Sequence, residues 1–127
     1  MKWTPITRSK PDPKGVNSRY PGLLNVEVNL SRTPPSEWAE FFSQPFAVPM
    51  KLSMHPPTLS GSIVELMLPD DEFDAYIESL DARIAAANES FERHVLPEVE
   101  AAEARENERH RAEAKRMAEA RRRADTL

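Results

Sequence analysis

Residues 70–96 read DDEFDAYIESLDARIAAANESFERHVL, and their apolar spacing decides the fold class. Phe73, Ile77, Leu80, Ile84, Ala87, Phe91 and Val95 follow steps of three and four, the period of one helix face. Tyr76 joins this stripe, and Ala82, Ala85 and Ala86 flank it. Asp70, Asp71 and Glu72 open the segment, where carboxylates cap free amides and oppose the positive end of the helix dipole. A helix of this length spans about 40 Å at 1.5 Å per residue. Strands of ~20 Å in a small sheet cover only part of that. The sequence therefore assigns Ile84, Ala87, Asn88, Phe91, Val95 and Leu96 to an interface with another chain, in the manner of a coiled coil. Asn88 lies beside the stripe. A buried Asn there fixes register or oligomeric state; a solvent-facing Asn is the other reading.

Pro97 follows, and it kinks or breaks the helix because it removes a hydrogen bond and crowds the preceding turn. Residues 98–127 change character. Ala, Glu and Arg dominate, and Val99, Met117 and Leu127 are the large apolar side chains. Glu106/Arg109, Glu108/Arg111, Glu113/Arg116 and Glu119/Arg123 stand three or four apart, which supports a solvated helix by ~0.2–0.5 kcal/mol per pair. Arg121, Arg122 and Arg123 suit the negative helix terminus, and they also form a candidate contact for nucleic acid or a partner.

Upstream of residue 70 the chain is of another kind. Eleven of the twelve prolines lie there, so helices in that part are short. Residues 1–22 read as an extended basic arm without regular structure, with Trp3 and Ile6 available to tack it onto the body. Leu24, Val26, Val28 and Leu30 alternate with Asn25, Glu27 and Asn29, a strand over residues 23–30 with one polar face. Residues 33–44 read as a helix capped by Thr33 with Pro34 in its first turn. Its Trp38, Phe41 and Phe42 share one face. A second strand is expected within residues 46–54, a loop over 55–61, and a central apolar strand over 62–68. The expected fold is α+β: a small, mostly antiparallel β-α-β-β sheet followed by the long helix. A parallel pairing of the first two strands across the short helix is the alternative arrangement. The division along the chain is an arm over residues 1–22, a body over 23–96 and a charged helical tail over 98–127.

Charge follows the same division. The net charge of −4 conceals a basic arm of +4, an acidic stretch of −10 over residues 23–100 and a final +3 over 105–127. Such a chain can bind itself or another protein. Cys is absent, which agrees with a reducing compartment, and the N-terminus lacks the apolar core of a secretory signal. The expected setting is the cytoplasm. No stretch approaches the ~18 apolar residues of a membrane span.

Chemistry-bearing motifs are missing. His55, His94 and His110 are widely separated, and no H-x-x-x-H or H-E-x-x-H occurs. Glu106 and His110 are one helical turn apart, but two ligands do not make the three or four of an ordinary metal site. There is no P-loop, dinucleotide fingerprint or nucleophile elbow. The expectation is a non-enzymatic accessory, adaptor or inhibitor protein without cofactors, which binds protein and forms a homo-oligomer through the long helix. The alternative is a nucleic-acid-associated protein using the arm and the arginine tail. Five acids among the eight bases of the tail weigh against that.

Overall fold

The computed structural model describes residues 2–44 and 54–127. In chain order the elements are β1 (Asp12–Val16), β2 (Leu24–Asn29), α1 (Ser36–Ser43), β3 (Thr58–Ser60), β4 (Ile63–Leu68), a 3-10 turn (Asp70–Glu72), α2 (Phe73–His94) and α3 (Leu96–Asp125). The strands form one antiparallel sheet in the order β1-β2-β4-β3, with helices packed on one face. The α+β class and the long C-terminal helical region follow from the sequence as expected.

The two central strands pair in a register that sorts their side chains. Leu24 lies opposite Leu68, Val26 opposite Leu66 and Val28 opposite Val64. These six meet the helices, and all but Leu24 are buried. Asn25, Glu27 and Met67 stand on the other face, because successive strand residues alternate sides. The strand expected over residues 62–68 is central, as its apolar run implied.

Several local expectations are corrected. The arm is not without regular structure. Asp12–Val16 form β1 against β2, and Arg8 bridges Leu30 farther along the same edge. An edge strand tolerates Pro13, whose missing N–H is not needed by the sheet. The register slips between Pro13 and Gly15, and Gly15 takes φ +151°, a conformation that L side chains rarely adopt. The predicted loop over residues 55–61 holds the short strand β3. A two-residue link, Gly61 and Ser62, joins it to β4, and Gly61 has φ +61° as a type II′ turn requires. Apart from Met54, the strand expected over residues 46–54 lies outside the described residues.

Helix α1 begins at Ser36 rather than beside Thr33. The residue before a proline disfavours helical backbone. Thr33 precedes Pro34 and Pro34 precedes Pro35, so the helix starts only after both. Asp70 and Asp71 make no capping hydrogen bond. They belong to the 3-10 turn, and α2 starts at Phe73.

The C-terminal region divides at Val95, two residues before Pro97. Val95 has φ −107° and ψ −49° and ends α2, and Pro97 lies in the first turn of α3. Proline is well suited there, since a first-turn N–H has no intrahelical acceptor. The amide of Val95 still reaches the Phe91 carbonyl at 2.9 Å, and those of Glu98 and Val99 turn back to Val95. The chain passes directly from one helix to the next.

The core collects Ile6, the inward residues of β2 and β4, Trp38 and Phe42 of α1, and Tyr76, Leu80, Ile84, Ala87 and Phe91 of α2. Trp38 and Phe42 stack with centroids 5.3 Å apart. The Tyr76 hydroxyl accepts a hydrogen bond from the His55 amide at 3.1 Å. Arg83 is buried in the α2 face that the sequence stripe left to apolar residues. Its guanidinium donates to the carbonyls of Phe42 (2.7 Å) and Gln44 (2.9 Å), at the negative end of α1. Burial pulls the Arg83 pKa down from its ordinary value.

Candidate interaction surface

The residues that the sequence assigns to an interface fall into two groups. Ile84, Ala87 and Phe91 are 6%, 1% and 1% exposed within this one chain, and Val95 and Leu96 pack against the same core. Within the single chain, this end of α2 takes cover from segments other than the sheet. Residues 3–8 and α1 pack over it. Trp3 stacks on Phe91 with centroids 4.3 Å apart. Its indole N–H donates to Glu92 at 3.2 Å, and the Arg32 guanidinium lies 4.9 Å from its ring centroid.

Asn88 is the polar centre of that closure. Its Oδ1 accepts from the Ile6 amide and from the Trp38 Nε1, both at 2.9 Å. Its Nδ2 donates to the Ile6 carbonyl, also at 2.9 Å. One side chain thus satisfies both backbone groups of a core residue and the indole of another. Asn88 is half-buried, and its hydrogen bonds run to Ile6 and Trp38 of its own chain.

Farther along, Arg8 and Asp81 form a two-pronged ion pair, with Nε to Oδ1 at 2.5 Å and Nη2 to Oδ2 at 2.9 Å. The Arg8 guanidinium holds the Asp81 carboxyl below the usual carboxylate range, and Asp81 in turn raises Arg8.

Arg121, Arg122 and Arg123 occupy a different setting. No residue of α3 is buried, and every residue from Ala104 to Leu127 is exposed. Arg122 and Arg123 share Glu119 at 3.8 and 3.4 Å. Glu106 pairs with Arg109 and with His110 at 3.0 Å, and Glu108 pairs with Arg111 at 3.7 Å. These contacts run along one helix and leave its surface open. The helix is 30 residues long, about 45 Å, and from Ala104 on it stands outside the core made by the rest of the chain.

A second open surface is the outer sheet face. Lys14, Asn17, Asn25, Glu27, Glu65 and Met67 line a groove of about 460 Å³. Glu27 and Glu65 stand directly opposite on β2 and β4, a like-charged cross-strand pair. Lys14 bonds to Asp12 at 2.7 Å and approaches Glu27 at 3.9 Å. The Asn17 Nδ2 donates to Asn25 Oδ1 at 2.8 Å. The sequence found the Asn25–Glu27–Asn29 row but not Lys14 and Asn17 beside it. The signal for those two was the β1 pairing that the prolines concealed.

Among the described residues no three His, Cys, Asp or Glu side chains are grouped to hold a metal, and no helix is long and apolar enough to cross a membrane. No protein-family model, no curated protein and no solved structure matches the chain.

Proposed function

We propose that this chain is a non-enzymatic accessory, adaptor or inhibitor protein of the cytoplasm, and that α3 is the element with which it binds other protein. The observation that carries this reading is the contrast within the C-terminal region. The stripe of α2 is buried by the chain itself, whereas α3 has no buried residue and is exposed throughout from Ala104 on. A solvated helix of this length has little tertiary reason to exist unless it bridges or binds. Its Ala, Glu and Arg composition keeps it helical in water without an apolar seam that would aggregate.

The nucleic-acid reading stands second, favoured by the exposed Arg121–Arg122–Arg123 run. The arm contributes little to it, since Arg8 and Lys14 already face carboxylates of the same chain. Affinity capture from the native cell tests the main reading, with the full chain and with a chain ending at Glu103. Partners retained by the full chain and lost by the shorter one support α3 as the binding element. Identical partners for both would sink it. A salt-sensitive shift of DNA or RNA that depends on residues 104–127 would promote the second reading.

A further inference from the structure

Resting on the reading of α3 as the contact element, we propose that its partner is a second copy of this chain, paired antiparallel along α3. Charge is the first argument. Residues 96–113 hold six carboxylates against three arginines, a net of −3. Residues 114–125 hold five bases against two carboxylates, a net of +3. Parallel pairing sets like halves together. Antiparallel pairing sets each acidic half on the other copy's basic half, and it opposes the two helix dipoles.

Spacing is the second argument. Leu96, Val99, Glu103, Glu106, His110, Glu113, Met117, Ala120, Ala124 and Leu127 follow steps of three and four without interruption. Overlaying two copies head to tail about a centre between residues 111 and 112 matches this row to itself. Leu96, part-buried on its own body, then stands at the end of the overlap beside Leu127 of the second copy, Val99 meets Ala124, Glu106 meets Met117, and His110 meets Glu113. Both ends of the overlap are apolar. Met117 and Leu127, 55% and 107% exposed in the single chain, gain cover. Beside the row Glu100 faces Arg121 of the second copy, and among the described residues neither has an ion-pair partner within its own chain. Arg109 faces Arg116, a like-charged contact that keeps the pairing weak and salt-dependent.

The chain contains no Cys, so single cysteines report the register directly. Glu106→Cys and Met117→Cys are made separately in the full chain and oxidised at low salt, alone and mixed. Neither is expected to cross-link with itself, and the mixture is expected to give the two-chain product. In the antiparallel pair, like cysteines of the two copies stand about 16 Å apart along the helix axis, beyond the reach of a disulfide. Salt near 0.5 M, where the Debye length is ~4 Å, is expected to reduce the yield several-fold. In sedimentation Glu100→Arg is expected to lower the two-chain fraction several-fold, and adding Arg121→Glu to restore it. Self-cross-linking of either variant overturns the antiparallel register. A one-chain mass for the unmodified protein at ~100 μM and low salt overturns the pairing itself, as does indifference to Glu100→Arg. None of these failures touches the wider reading, since α3-dependent capture of a different protein does not require self-pairing.

Discussion

At the scale of single residues, Asn88 joins three separate parts of the chain. It ties the backbone of Ile6 and the indole of Trp38 to α2 through three hydrogen bonds. Asn88→Ala leaves the Ile6 amide and carbonyl and the Trp38 N–H without a partner, each in or beside the core. A buried polar group left unsatisfied costs about 1–3 kcal/mol. We expect a loss of roughly 2–4 kcal/mol in urea unfolding, more than the loss of one exposed hydrogen bond. Asn88→Asp keeps the two acceptor contacts but removes the donor to Ile6, and an intermediate loss is expected.

The Arg8–Asp81 pair acts on a smaller scale, because the Asp81 side chain is half exposed. Solvent screening holds its contribution to about 0–1 kcal/mol. Its sign is fixed by the lowered Asp81 carboxyl. The contribution is fully present above the unfolded Asp value near 4 and is lost as pH falls through the lower folded value. Urea midpoints of the native chain and Asp81→Asn should differ by a constant amount between about pH 5 and 8 and converge under stronger acid. A difference that grows on acidification would contradict the assignment.

At the scale of elements, the question is which helix needs a partner. Phe91 is 1% exposed and stacked under Trp3. Phe91→Ala should cost about 3–5 kcal/mol in the single chain, the range for a buried aromatic. Had Phe91 belonged to an interface, the change would appear as weaker association with little effect on single-chain stability. α3 is expected to behave in the opposite way. In the single chain its amides past Glu103 should exchange hydrogen far faster than those of α2, because opening that part exposes no core. Hydrogen exchange resolved along the chain would show this contrast. Equal protection across both helices in the isolated protein would mean that α3 is covered by something unseen.

At the scale of the whole molecule, the sequence was most legible where one period held over many residues. The alternation in β2, the apolar run of β4 and the stripe of α2 each named its own element and its buried face. Legibility failed where cover comes from distant segments. Nothing in the period of α2 says that Trp3 and Ile6, more than eighty residues earlier, fold back onto Phe91 and Asn88. Length alone therefore suggested a second chain. β1 was hidden because Pro11, Pro13 and Gly15 signal irregular chain, and an edge strand tolerates all three. Arg83 was hidden because its acceptors are the carbonyls that end α1, and no carboxylate spacing announces them. The exposed character of α3 was legible in the sequence as a helix without an apolar face.

The central claim is that the body is complete in itself and that association belongs to α3. Sedimentation at low salt of the full chain and of a chain ending at Glu103 tests it directly, with urea unfolding of both alongside. The full protein should have a two-chain mass and the shorter one a one-chain mass, with matching unfolding midpoints once both are single chains. A shorter chain that still associates would place the interface in the body. A shorter chain that has lost its cooperative unfolding would contradict the claim that α3 lies outside the core.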